Sequence, residues 1–531
     1  MSTQSTVLFH DPKLEEAVRQ NIDKMDGDLT IADLESIEEL ECSNQHFKSI
    51  KGIEQLKNLK KISFQEVNID DLESLGELTN IESLTCDYAK IADIEPIMSL
   101  TNLRELSLIQ CNLTDISQLK NLKNLESLDI SWNRIEDISS LAELKCLTTL
   151  ILERNKVQDI SPLRELKSLT YLTLRGNRVD DITPLKNLTS LTKLELGLNG
   201  LKDISPLSGL TNLTNIDLSP DLLKDFLPAL KLVNPASYEN KPNMVKDLSP
   251  LSGLTKLVSI NLDENKVEDF TPLTKLSNLE CLHLEDNMIT NIPSLSELKN
   301  LRTLYLKKNR IRDIRPLADL NKLTKLGLSN NKFRNITPLK NLTNLDFLAL
   351  GHNSIKDISP LKNLTSLTTL NLTHNKIKDI RALAELTGLT TLNLCNNKLT
   401  DVTTIAYLKD LTRLYLDNNK IHDVYPLSKL NLLEQLDLTN NRINDISPLE
   451  NNKLLANNCT FSLKRNNIRL NESSLEIDDS NSLGIEDVTV RFALKLLMML
   501  IITILLQFYR LFMFIRKKLY FRRIQRRISQ M

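Results

Sequence analysis

Histidine, cysteine and carboxylate side chains are where chemistry is sought first, and here their spacing points away from catalysis. His352 and His374 stand 22 residues apart in matching contexts, GHNSI and THNKI, so they could face each other and share a metal. Two imidazoles with no evident carboxylate as third ligand make a poor metal site. The seven cysteines, at 42, 86, 111, 146, 281, 395 and 459, form no CxxC pair and read as reduced, structural residues. No HExxH, GxSxG, P-loop or dinucleotide-binding fingerprint occurs. The sequence therefore predicts a protein that is not an enzyme, with no catalytic residue, no metal and no cofactor.

Recognition suits the spacing better. Pairs of charged residues recur every 22 positions: Asp263 with Glu264, Glu285 with Asp286, Lys307 with Lys308. They predict an acidic patch beside a basic one. His283 and Tyr305 occupy one column, and Phe347, Arg413 and Tyr415 follow farther along. Trp132 and Tyr171 lie on the earlier part of the chain. Aromatic and arginine side chains are the types enriched where partners bind most tightly. These residues, from Asp263 to Tyr415, are the candidate partner-binding site.

Such a column requires an element that repeats. Asn133, Asn155, Asn177 and Asn199 are 22 residues apart, and Asn243 through Asn441 continue in the same phase. The unit reads LxxLxLxxNxIxDIxPLxxLxx. Extrapolated backwards, it passes through the degenerate positions Cys111, Ala89, Val67 and Gln45, and a last unit ending near Asn466 is displaced by three residues. About twenty repeats therefore span roughly 37 to 470. In LxxLxL, residues such as Leu301, Leu304 and Leu306 point inward from a short strand, and four positions between them face outward. Stacked units pair these strands in parallel. The asparagine turns the chain inward, and its amide both donates and accepts, so a ladder of asparagines satisfies backbone groups that no water reaches. Ser161, Thr183, Ser205, Ser359 and Ser447 each precede a proline, which reads as an N-cap followed by proline at the first helical position. The few residues left allow only a short 3₁₀ turn on the outer side.

One unit departs from this grammar while keeping its phase. Between Leu218 and Asn243, Asp221 falls at the ladder position and Pro235 to Asn240 fill the strand slot. Proline has no amide for the ladder and Asn240 replaces a core leucine. The solenoid is expected to continue through this repeat, 222–243, with a weak strand or bulge, as drift or as a hinge.

These repeats resemble the 22-residue leucine-rich repeats of bacterial internalins, and Phe9 to Val18 with Gly27 to Leu34 is similar to their helical cap. Leu14, Val18 and Ile22 make the cap amphipathic, able to cover the open end of the first repeat. The resemblance implies a curved α/β solenoid, a right-handed superhelix with parallel strands on the concave face and short 3₁₀ turns on the convex face. The same unit occurs in a regulatory subunit of type 1 protein phosphatase. The internalin signal peptide and the immunoglobulin-like module are not seen.

Composition agrees. Apolar residues are 41% of the chain, aromatics 4%, and only 12 of 531 residues are glycine, as in a core of stacked leucines. A net charge of −1 gives no general attraction to nucleic acid. The organisation expected is a cap over 1–36, repeats over 37–470, an acidic linker over 471–487, and a hydrophobic helix with a basic tail over 488–531. From Leu496 to Tyr509 no charge occurs, and residues 492–515 are long enough to span a bilayer, while Arg491, Lys495, Thr503, Gln507 and Arg510 share one face that also suits a helix in the interface or one buried in a soluble bundle. Arg516 to Met531 then holds seven Lys or Arg and no acid. A basic tail prefers the cytoplasm, which would place the repeats outside. The N-terminus has no basic start followed by an apolar stretch to export them. The expected protein is a scaffold that binds a protein partner on its concave face and is held at a membrane, with the repeats cytoplasmic. A cytosolic phosphatase-regulator-type subunit and a cell-surface adhesin are the alternatives.

Overall fold

The computed structural model describes residues 9–43, 49–65, 72–89, 94–220, 241–450 and 460–468. They form a curved leucine-rich-repeat solenoid, with one open sheet of 19 parallel strands. Strand β1 is Glu39–Ser43, and most later strands have three residues. Each pairs in parallel with the next strand of the sheet, 22 residues on except at β9–β10 and β18–β19. On β11 (Cys281–His283), β12 (Thr303–Tyr305), β13 (Lys325–Gly327) and β14 (Phe347–Ala349), Leu282, Leu304, Leu326 and Leu348 are mutual partners. All four leucines are fully buried.

The asparagine ladder takes the form expected of it. Asn331 Nδ2 donates to the carbonyls of Leu306 at 2.9 Å and Leu328 at 3.1 Å, while its Oδ1 accepts from Ile311 N at 3.0 Å. One amide thus ties two repeats together where no water reaches. Of the degenerate positions, Cys111 and Ala89 are buried, and Cys111 N donates to Asn133 Oδ1. Val67 and Gln45 lie outside the described residues.

The outer turns correct one expectation. Ser161, Thr183, Ser205 and Ser359 do not cap their turns. They are the first residues of 3₁₀ segments such as Ser161–Glu165, with proline second. The aspartate two positions earlier closes the turn: Asp159 Oδ1 accepts from Ser161 N at 2.8 Å. Asp181, Asp203, Asp357 and Asp445 repeat the bond, the last at Ser447. A carboxylate reaches that amide across the turn; a hydroxyl on the first residue is too short to replace it.

The atypical repeat gives a second correction. Among the described residues β9 (Asn215–Asp217) and β10 (Ser259–Asn261) pair directly, Ile216 opposite Ile260. Asn243, not Asp221, fills the ladder position of the β9 repeat, bonding Leu196 O at 3.0 Å and Leu218 O at 2.9 Å. The sheet therefore passes from β9 to β10 with no place for a weak strand between them, contrary to the expectation for 222–243. With proline and asparagine in the strand slot, pairing β9 to β10 satisfies more amides than admitting that strand would. Residues 221–240, including Pro235 to Asn240, lie outside the described residues.

At the N-terminus, α1 (Pro12–Asn21) starts after Asp11, whose side chain accepts from Lys13 N, and buries Leu14, Ala17 and Val18 while packing against β1. At the other end, β19 (Thr460–Ser462) pairs with β18 (Gln435–Asp437) at the three-residue displacement expected, and Ile443 N reaches Asn466 Oδ1. The linker over 471–487 and the hydrophobic segment over 488–531 lie outside the described residues. Among those described, no helix is long and apolar enough to cross a membrane.

Candidate functional site

In a strand whose alternate leucines face the core, the residues between them must face the other way. On β11 to β14 these are Cys281, His283, Thr303, Tyr305, Lys325, Gly327, Phe347 and Ala349. His283 and Tyr305 meet edge to face at 4.8 Å between ring centres. Tyr305 and Phe347, two strands apart, are perpendicular at 6.2 Å. Gly327 makes that possible: a Cβ on it would stand 2.5 Å from Tyr305 Cδ1, so only glycine lets the tyrosine ring lie across β13. The result is an aromatic row across four repeats.

An acidic group closes one end of this row. Asp263 is largely buried, with Oδ1 accepting from Glu285 N at 2.6 Å. Its one ionic neighbour within 4 Å among the described residues is the His283 imidazole, Nδ1 to Oδ2 at 3.8 Å. Burial pushes the Asp263 carboxyl up to about 7, and the nearby Glu285, Asp217 and Glu264 charges push the same way. Burial also raises Glu285, against the pull of Lys307 and Lys308, and lowers His283. Beside them a shallow depression of about 260 Å³ is lined by Glu195, Asp217, Asn261 and His283, among others.

The second residue of each charged pair sits elsewhere. Glu264, Asp286 and Lys308 have φ of 55°, 52° and 55°, the left-handed slot just before each ladder asparagine. They form a marginal row beside the sheet rather than part of its face. Neighbours in that row pair laterally: Lys308 Nζ with Asp286 at 2.9 Å, and Arg154 over the Trp132 ring at 4.5 Å. His352 and His374 belong to it too, their rings stacked 4.0 Å apart. Among the described residues no cluster of three or more His, Cys, Asp or Glu side chains could hold a metal. Lys307 is half-buried on the face next to Glu285.

Asp263, His283, Glu285, Tyr305, Lys307 and Phe347 therefore come together on the sheet face. Arg413 and Tyr415, on β17 (Arg413–Tyr415), are three strands beyond β14, and the Tyr415 hydroxyl donates to Gln435 Oε1. Tyr171 donates to Glu195 Oε1 at 3.3 Å. Sequence reasoning missed Gly327, whose signal was a glycine in an outward strand slot of a glycine-poor chain. It also missed Asp217 and Asn261, which stand beside the site because β9 and β10 adjoin across the omitted repeat. Nothing local in the sequence marked them.

Arg175 braces the β9 side of that junction. Its side chain is buried, donates to Ser219 O at 2.9 Å and pairs with Asp217 at 2.7 Å. Gly197 leaves room, since a Cβ there would fall 1.8 Å from Ser219 O.

Comparison with known proteins agrees with the repeat fold. The leucine-rich-repeat family description, "Leucine Rich repeats (2 copies)", matches residues 145–187, 277–321, 299–341, 321–363, 343–385, 365–407 and 409–451. That of the "Endo-beta-N-acetylglucosaminidase EndoS LRR domain" matches residues 9–133. Among curated proteins, no sequence relative matches. Among solved structures, the leucine-rich-repeat protein LIC12759 of Leptospira interrogans is 25% identical, with 82% of this chain and 97% of that one covered and a TM-score of 0.53. An internalin, InlF, of Listeria monocytogenes is 29% identical over 82% of this chain and 96% of its own, with a TM-score of 0.47. The ectodomain of the Arabidopsis receptor kinase HAESA, in complex with a peptide hormone, is 21% identical over 79% and 76%, with a TM-score of 0.56, a likeness of fold.

Proposed function

The chain is a leucine-rich-repeat protein with an internalin-like repeat, and from that premise we propose that it is a non-enzymatic scaffold binding a protein partner on its concave face. One observation carries this reading. The framework satisfies itself, leucines in the core and asparagines on the backbone, while the outward strand positions bring aromatic and charged side chains together around Tyr305. Side chains with no role in holding the repeats together are those free to set specificity. The leucine-rich-repeat fold is one used for protein interaction, as in the peptide-bound HAESA ectodomain. We place the repeats on the cytoplasmic side, held at a membrane through residues 492–515.

The test begins with a partner isolated by affinity capture on the full-length protein and identified. Asp263, Glu264, Glu285 and Asp286 are then changed together to lysine. Association should slow and its dependence on salt should change, because complementary charge steers encounter. A partner that binds this variant, and a Tyr305→Ser, Tyr415→Ser variant, as it binds the parent docks on another surface, and the reading fails.

A further inference from the structure

Four observations narrow the partner's chemistry. Asp263 is a largely buried carboxylate whose only ionic neighbour among the described residues is an imidazole 3.8 Å away. It lies beside the depression that Lys193, Asp217 and His283 line, where Arg175 already pairs with Asp217, so the negative charge a cation meets is that of Asp263 and the neighbouring Glu285. Two strands along, Tyr305 lies over Gly327 on the third strand toward Phe347 and offers an apolar platform with both rings half-buried. Lys307 and Lys325 flank that platform, so positive charge is disfavoured at the aromatic end and favoured at the other. Acidic residues alone would be an ordinary solvated face; the polarity from carboxylate to aromatic row is what a ligand could read.

Resting on the concave-face reading, we propose that this strip docks an extended polypeptide segment of the partner. The segment carries a Lys or Arg side chain over Asp263 and an aliphatic side chain against Tyr305 and Phe347. Spacing follows from the sheet. Three strands at about 4.8 Å each separate the Asp263 repeat from Gly327, or about 14 Å, which an extended chain at about 3.4 Å per residue covers in about four residues.

The probe is a terminally blocked, fluorescein-labelled peptide of Gly, Ser and Gln with one Arg and one Leu four positions apart. Its binding to the full-length protein is followed by fluorescence anisotropy at low salt. We expect at least tenfold weaker binding when the Leu is moved to two positions from the Arg, or the Arg is replaced by Gln. Asp263→Asn and Phe347→Ser should each produce a comparable loss, with Tyr407→Ser, on an exposed outer turn, unchanged. Both altered sites face away from the core, and thermal melts establish that the variants are folded. Indifference to the Arg–Leu spacing, or binding to Asp263→Asn equal to the parent, overturns the proposal. If no peptide binds while the four-site charge reversal still abolishes binding of the protein partner, the peptide chemistry is wrong and the concave-face reading stands. Failure of both experiments removes that reading as well.

Discussion

Asn331 and Asn353 hold the same place in consecutive repeats, yet they are not equivalent. Asn331 donates to three carbonyls and accepts from Ile311 N. Asn353 makes the three donations, but its buried Oδ1 accepts nothing. The position that should donate to it is Phe333, where other repeats carry Ile, Val or Leu. The bulk of that buried ring coincides with a longer neighbouring bond, Ser354 N to Phe333 O at 3.3 Å, against 2.8 Å for Lys332 N to Ile311 O. Asn331→Ala should therefore destabilise by about 1–3 kcal/mol, and Asn353→Ala by about 1 kcal/mol or less, because fewer buried groups lose a partner. Denaturant midpoints decide it; equal losses would contradict the ladder as described. Asp263 carries the opposite sign. Its folded value near 7 lies above the ordinary 3.8, so the folded state holds the proton more tightly. Stability from this group is highest below pH 4, falls as pH rises to about 7, and is flat beyond. Asp263→Asn should match the parent at pH 4 and exceed it at pH 8 by on the order of 1–3 kcal/mol. A gain that does not grow with pH would refute this.

At the scale of elements, the unit between β9 and β10 is the informative one. Leu218, Ser219 and Pro220 precede residues 221–242, and Asn243 follows them; joining Pro220 to Asn243 restores the LxxN spacing of Leu196 to Asn199. The hydrogen bonds are already those of such a joined repeat, since Asn243 serves Leu196 and Leu218. Pro220 would then occupy the left-handed slot that Leu198 holds at φ 57°, which a proline ring cannot enter. Deletion of 221–242 together with Pro220→Gly should therefore give a folded, cooperatively melting solenoid. The same deletion with Pro220 retained should melt lower. A deletion that unfolds the chain in both forms would show that the omitted unit supports the sheet.

For the whole molecule, the open question is attachment. The repeats bury their own leucines and need no lipid. Residues 492–515 collect Phe, Leu, Met and Ile with almost no polar relief, so outside a membrane they would promote aggregation. The basic residues after Ile515 would rest against anionic headgroups, each adding about 1 kcal/mol near the surface. Removing residues 488–531 should yield a soluble solenoid that melts like the parent. The full chain should pellet with membranes; resistance to both carbonate and high salt marks a spanning helix, and release by one of them a helix lying in the interface. Recovery of the full chain as a detergent-free soluble monomer would end the membrane proposal.

The repeat, its parallel strands, the buried leucines and the asparagine ladder were legible because each depends on a period that every unit restates. Leu304 and Asn331 mean the same thing wherever the unit recurs. The outward strand positions of His283, Tyr305, Phe347, Arg413 and Tyr415 were also legible, since alternation along a strand is local, whereas the place of Glu264, Asp286 and Lys308 in the left-handed row was not. What the sequence could not carry was anything that depends on which strands adjoin or how closely. The direct pairing of β9 with β10 was hidden because the omitted unit has the same length as the repeats around it, so its phase betrays nothing. That pairing alone brings Asp217 beside Asn261 and the Asp263–His283 group. The tilt of Tyr305 over Gly327, and the lateral pairing in the left-handed row, were likewise decided by contacts between repeats. A one-dimensional period specifies the scaffold, whereas the site is made of differences between neighbours, and only packing brings those differences into contact.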